Sequence, residues 1–322
     1  MNKKMIGVSI LCNVYNHEKY LRECLESLVN QKTNFKYEIL VHDDCSTDNS
    51  KKIIEEYYRK YPDKIIPFYE KENQYSKGVK INKTILIPKM KGKYFCFCEG
   101  DDYWIDENKL QKQYDFLENN LDYSFCIHNS IGVNKNSEKI CEITPKKSGG
   151  DLTCEDFIIN GGGFVSTNAI FSRSELAKNP PKYFDYMTLD YIWQIYLSSC
   201  GKTYCFKEFM SAYRIESDGS WTNRIQKDPD KFIVYEERII KTLELFNKET
   251  KYKYDKVVKE RIALLNFNIF ELKRDYKKMY EDPYNEIRKK QPIKMRIKYF
   301  ISVHFPFLFK ILYRIFKNKE LK

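Results

Sequence analysis

The sequence lacks the signatures of the commonest cofactor sites. Its ten cysteines include no Cys-x-x-Cys pair, and none stands with the four histidines at metal-ligand spacing, so neither a zinc site nor a dithiol redox centre is indicated. Cysteines scattered in this way fit a reducing cytosol and not a disulfide frame. No Gly-x-Gly-x-x-Gly follows the first strand-like run, and no complete Walker loop is present. Dinucleotide and P-loop readings are therefore disfavoured, and phosphates would have to be handled through a metal. Internal repeats and low-complexity tracts are absent. The apolar stretch Met5 to Cys12 is short and runs directly into Asn13 and Asn16 without a small-residue cleavage site, so it reads as a first strand and not as a signal peptide.

What is present is unevenly distributed. The net charge of +11 lies in the tail: residues 251–322 hold 20 Lys and Arg against 8 Asp and Glu, whereas 36 face 37 before them. A near-neutral body with a basic tail points to an anionic surface as partner of the tail alone. The body is organised around Tyr94 to Trp104, an aromatic run of buried-strand length that stops at Glu99, Asp101 and Asp102, with Gly100 allowing the backbone to bend. Acidic side chains at the carboxyl end of a strand suit a hard divalent cation that carries substrate phosphates; the alternative is a solvated acidic turn.

Around this stretch the pattern strand, polar turn, amphipathic helix recurs. Ile6 to Cys12 precedes a helix carrying Leu21, Cys24, Leu25 and Leu28; Tyr37 to Val41 precedes one carrying Ile53, Ile54 and Tyr57; Ile65 to Tyr69 is a third strand, and Val79 to Ile87 a short helix. Such repetition implies right-handed crossovers and a parallel α/β sheet. Asn13, Tyr15, Asp43, Asp44, Glu99, Asp101 and Asp102 all fall just past strand ends, where a crevice can receive a base, a ribose and a diphosphate.

Three stretches carry a resemblance: Val8–Asn16 followed by a helix, Tyr37–Ser50 with its Asp43-Asp44-Cys45-Ser46 core, and Glu99-Gly100-Asp101-Asp102-Tyr103-Trp104. In order and spacing they resemble the signatures of the family 2 inverting glycosyltransferases of bacterial polysaccharide type. The resemblance spans roughly residues 6–225. It implies a GT-A fold, a Rossmann-like and mostly parallel sheet flanked by helices. It implies too that Tyr15 stacks on the donor's base, that Asp44 meets the base edge, and that Asn13 and Asp43 complete the donor site. Asp101, with Glu99 in place of the usual first Asp and Asp102 beside it, would hold Mn²⁺ or Mg²⁺.

Downstream, Gly132 to Gly150 reads as a polar surface loop. The triplet Gly161-Gly162-Gly163 runs into a strand and has no helix start behind it to hold a phosphate. Asp190 opens an amphipathic helix, either as its cap or, as the resemblance implies, as the general base that takes a proton from the acceptor hydroxyl. Arg214 and Trp221 belong to a segment like the loop that closes over donor and acceptor in this family; Glu216 stands where a His is frequent. Trp221 suits either an acceptor sugar or a packed loop anchor.

The expected organisation is a catalytic domain over 1–225, a helical extension over 226–290 and a basic amphipathic segment over 291–322. In that last segment Lys310, Arg314 and Lys317 form one stripe on an apolar helix interrupted by Pro306. It is too charged to span a bilayer but suited to lie in an anionic leaflet; the alternative is a core or dimer helix. Its basic residues are mixed with Phe, Ile and Leu on one greasy face, which disfavours nucleic acid as partner. The expectation is a sugar transferase acting on a nucleoside diphosphate sugar and a lipid-linked or growing glycan acceptor, peripheral on the cytoplasmic face of the membrane. A membrane-docked scaffold without turnover is the alternative.

Overall fold

The run Ile6–Val14 forms β1 and is buried along nearly its whole length, the pattern of a central parallel strand covered on both faces. In this computed structural model the described residues are 6–187, 189–215, 228–307 and 309. Glu216, Trp221 and the stripe Lys310, Arg314 and Lys317 lie outside them. Two units are distinguished, Met1–Asn223 and Arg224–Lys322.

In the first unit β1 is followed by α1 (Leu21–Val29), β2 (Lys36–Asp43), α2 (Ser50–Lys60) and β3 (Ile65–Tyr69), close to the predicted bounds. The predicted short helix is a single π-helical turn, Asn82–Leu86, with a 3₁₀ turn behind it. Then come β4 (Tyr94–Phe97), β5 (Tyr103–Trp104), α3 (Lys109–Asn119), β6 (Tyr123–Val133), β7 (Lys139–Ile143), β8 (Gly150–Leu152), α4 (Cys154–Asn160), β9 (Phe171–Arg173), α5 (Ser174–Lys178), α6 (Asp190–Cys200) and β10 (Lys202–Arg214). One sheet runs β3-β2-β1-β4-β9-β6-β10-β5, with β7 on β6 and β8 on β10.

Both halves of the sheet serve the site. β1, β2, β3 and β4 are mutually parallel, so Asn13, Asp43 and the acidic turn after β4 emerge at one edge. β9 is antiparallel to β4 and to β6, and β10, parallel to β6, ends beside the acidic turn. The segment read as a surface loop contains an antiparallel pairing of β7 with β6. Its turn is built by Asn134, whose Oδ1 accepts from the main-chain N–H groups of Asn136 and Glu138 at 2.9 and 3.1 Å. β7 is an exposed edge strand, so its residues lack the apolar alternation that marks a half-buried strand. The glycine triplet ends α4, with Gly161 at φ +76°, and continues as a 3₁₀ turn.

The second unit contains α7 (Pro229–Glu249), α8 (Asp255–Lys273), α9 (Tyr284–Lys289) and α10 (Ile293–His304). Tyr299 of α10 is fully buried with Phe267, Tyr276 and Met279, and its hydroxyl donates to Glu271 at 3.1 Å. One face of the tail segment is thus part of a core. The opposite face, Ile293, Ile297, Phe300 and His304 at helical spacing, is exposed, as are Phe305 and Phe307 beyond it.

Glu236 of α7 is buried in this unit; one oxygen accepts from Asn268 at 3.3 Å and the other has no partner. Burial pushes its carboxyl up to about 7 against the opposing pull of Asn268 and Arg261. The folded state therefore holds this proton more tightly than the unfolded chain. The stabilising contribution is complete below the ordinary Glu value, declines as pH rises through about 7, and is absent above that. Glu236→Gln is expected to raise the thermal midpoint of the full chain at about pH 8 and to flatten its pH profile, an effect on the order of 1–2 kcal/mol; calorimetry across the range checks both.

Candidate active site

The turns after β1 and β2 are stitched into one rim. Asn16, at φ +58°, accepts from the Thr47 N–H at 2.8 Å, the Asn16 N–H donates to Ser46 at 3.0 Å, and the N–H groups of His17 and Glu18 donate to Ser50 and Asp48, each at 2.9 Å. Asp48 also accepts from the Ser50 N–H at the start of α2, which ties the first turn of that helix to the rim. This rim presents Tyr15, whose ring is 42% exposed. At the ends of β1 and β2 two buried oxygens have no partner among the described residues, Asn13 Oδ1 and Asp43 Oδ1; the Asn13 amide donates to Asn82 at 3.0 Å. A buried acceptor without a donor is costly, so two of them at adjacent strand ends mark a place for a ligand with N–H or O–H groups. Burial raises the Asp43 carboxyl, with Ser46 opposing.

Asp44 is placed differently. Its two oxygens accept from the main-chain N–H groups of Gln74 and Tyr75 at 2.7 and 3.0 Å. It organises the 73–78 loop, and the unpartnered acceptor at this rim belongs to Asp43.

Past β4 the chain stays bonded to β1 through the Gly100 N–H and the Asn13 carbonyl at 2.9 Å. Gly100 is needed for this close approach: a Cβ there would meet His17 Nδ1 at 2.8 Å and Val14 Cγ2 at 3.0 Å. Asp101 keeps partial exposure and lies 4.0 Å from His17 Nε2. Glu99 is raised well above the usual carboxylate range by burial, then by the charges of Asp101 and Asp190. These carboxylates are near enough to repel one another, which a cation would relieve.

Asp102 and Arg214 belong to the frame. Asp102 is 2% exposed; its Oδ1 accepts from the Arg214 N–H at 2.8 Å and its Oδ2 from the Asn168 amide at 3.1 Å. The buried Arg214 guanidinium donates to the carbonyls of Asp101 and Asn134 at 2.8 and 2.6 Å and to Glu23 at 3.1 Å, and covers the Tyr20 ring at 4.2 Å. These contacts hold both side chains within the fold and explain why they follow the acidic turn and the last strand.

Among the described residues no three Asp, Glu, His or Cys side chains converge on one metal position. Glu99 and Asp101 still fit a hard cation by their oxygen chemistry, as a partial set that needs further oxygens from a ligand.

Asp190 is the first residue of α6, with Leu189 at the cap position. Its Oδ2 accepts from the Thr167 hydroxyl at 3.0 Å and its Oδ1 from the Tyr191 N–H at 2.7 Å; burial raises its carboxyl. Tyr213, near the end of β10, was not singled out by sequence. Burial and then the charges of Asp102, Glu99, Asp190 and Asp101 raise its hydroxyl. No spacing in the sequence connects residue 213 to residue 99; only the pairing of β10 does.

The chain matches the model of Glycosyl transferase family 2 over residues 9–178. It is 31% identical over 218 residues to an uncharacterized protein of Mycobacterium tuberculosis, covering 66% of this chain and 60% of that one. To the poly(ribitol-phosphate) beta-glucosyltransferase of Bacillus spizizenii it is 39% identical over 114 residues, 35% of this chain and 17% of the other. Among solved structures it resembles S. aureus TarS 1-349 in complex with UDP-GlcNAc, with TM-score 0.58 and 17% identity over 92% of this chain and 79% of that one. It also resembles the Pyrobaculum calidifontis mannosyltransferase PcManGT in complex with GDP-Man and Mn²⁺, with TM-score 0.53 and 12% identity over 94% and 88%. At these identities the structures speak for the fold alone, a GT-A-like one with a helical C-terminal region. The match over more than half its length places the chain in glycosyl transferase family 2.

Proposed function

We propose that this protein transfers a sugar, with inversion, from a uridine-type nucleoside diphosphate donor to a growing or lipid-linked glycan acceptor in cell-surface polysaccharide synthesis. The observation that carries the reading is the pair of acceptors without partners among the described residues, Asn13 Oδ1 and Asp43 Oδ1, at the ends of the two strands whose joined turns carry the exposed Tyr15. An exposed aromatic ring and buried acceptors on one rim suit a base that stacks and donates an N–H. UDP-GlcNAc and GDP-Man in the two solved relatives, and the polymer in the name of the Bacillus enzyme, support the substrate class.

Glu99 and Asp101 would hold Mn²⁺ or Mg²⁺ on the donor's diphosphate, and the bound cation would stabilise the departing charge. Asp190 accepts the proton of the attacking hydroxyl; its raised affinity for a proton suits it to that task. Its carboxylate is aimed by Thr167 and the Tyr191 N–H before the acceptor arrives.

The tail is the proposed docking surface, with an anionic leaflet on the cytoplasmic side as its partner. Ile293, Ile297 and Phe300 form an exposed apolar stripe flanked by Lys294 and Arg296, and Phe307 beyond them is 78% exposed. No helix among the described residues is long and apolar enough to cross a membrane.

Asp101→Ala is expected to abolish Mn²⁺-dependent UDP binding in calorimetry and sugar transfer together; metal-dependent binding that survives would remove Asp101 from the metal site. Asp190→Asn should keep UDP binding and lower kcat by about 10²- to 10⁴-fold with a panel of nucleotide sugars. Full activity in that variant would reduce Asp190 to a structural residue, and no turnover by the wild-type chain would favour the scaffold. The double variant Ile297→Ser with Phe300→Ser alters exposed positions only. It should fold and yet lose cosedimentation with phosphatidylglycerol vesicles, whereas unchanged sedimentation would overturn the docking surface.

A further inference from the structure

Two adjacent residues of one short turn reach two different acids of the site. Thr167 and Asn168 lie in the 3₁₀ turn Thr167–Ala169, which precedes β9. The Thr167 hydroxyl donates to Asp190 Oδ2 at 3.0 Å. The Asn168 amide donates to Asp102 Oδ2 at 3.1 Å and to the Ala212 carbonyl at 2.8 Å. Asn168 Oδ1 accepts from Ser166 at 2.8 Å and Ser211 at 2.7 Å, and Ser130 joins Ser166 and Ser211 at 2.6 and 2.9 Å. Asn168 is wholly buried and uses all four of its hydrogen-bonding positions, so its orientation is fixed.

We propose that the Thr167-Asn168 turn is a positioning element that sets the general base against the acidic turn after β4, with Thr167 orienting the Asp190 carboxylate. This rests on the reading of Asp190 as base. The turn is locked to the acidic turn by Asn168 and to β10 through Ala212, and its one remaining polar side chain is directed at Asp190. The Thr167 hydroxyl donates, so it favours the ionised carboxylate and holds one oxygen. Asp190 Oδ1 is held by the Tyr191 N–H, so each oxygen has a fixed donor before an acceptor hydroxyl arrives. A base held from two sides loses little rotational freedom when the substrate binds. The titratable groups that feel its charge are Glu99 and Tyr213, both raised first by burial and then by neighbouring acids that include Asp190.

The test uses the full chain with carbon-13 in its aspartate carboxyls, the Asp190 signal being assigned from Asp190→Asn. In Thr167→Val the Asp190 midpoint should rise by roughly one pH unit, the value of a lost hydrogen bond to a charged group, with the small fall in thermal midpoint at neutral pH that linkage requires, while Mn²⁺-dependent UDP affinity stays as in the wild type. Thr167→Ser, which restores the hydroxyl, should return the midpoint. A midpoint unmoved in Thr167→Val, or not restored in Thr167→Ser, overturns the proposal. Because the measurement needs no turnover, a chain inactive with every nucleotide sugar would discredit the catalytic reading without touching this result. With an active donor, the acid limb of kcat/KM should move with the carboxyl midpoint in Thr167→Val, and KM for the donor should not change.

Discussion

A buried carboxylate, Asp102, joins parts of the catalytic unit that are distant in sequence. Through one oxygen it fixes the end of β10, and through the other the turn that precedes β9. Burial raises it strongly, with the Arg214 N–H opposing. A carboxylate in this position without its two donors would cost several kcal/mol, so the arrangement persists only if β4, β10 and the 166–169 turn assemble together. The positions of Glu99 and Asp101 before it, and of Asp190 beyond Thr167, follow from that assembly.

The acids placed in this way are mutually repulsive. Glu99 feels Asp101 and Asp190, and Tyr213 feels all four. Crowding of this kind is unfavourable in an empty protein and becomes favourable once a cation and a diphosphate share the space. The oxygens of Asn13 and Asp43 that have no partner among the described residues are likewise unfavourable by themselves.

The helical unit uses its tail segment in two ways. Tyr299 closes a cluster with Phe267, Tyr276 and Met279, so α10 is part of that unit's core. The face turned away from the cluster keeps Ile293, Ile297 and Phe300 in solvent. The core-helix and surface-helix readings of the sequence therefore describe opposite faces of one helix.

The sequence by itself determined the parallel half of the sheet, because β1, β2 and β4 are buried on both faces and show as mainly apolar runs with polar turns at their ends, interrupted by the buried Ser9–Glu38 pair. It also located the acidic turn and the helix that begins at Asp190, since both depend on local pattern. It did not show the antiparallel half: β7 and β9 are short or exposed, and their pairing is a long-range matter that leaves little periodicity. Nor could it separate Asp43 from Asp44, or Asp101 from Asp102. Neighbouring residues of the same type differ only in which oxygens the fold occupies, and that was decided by the N–H groups of Gln74, Tyr75 and Arg214. Thr167, Asn168 and Tyr213 came to the site through β9 and β10 alone, because tertiary pairing brings residues to a site without regard to their distance along the chain.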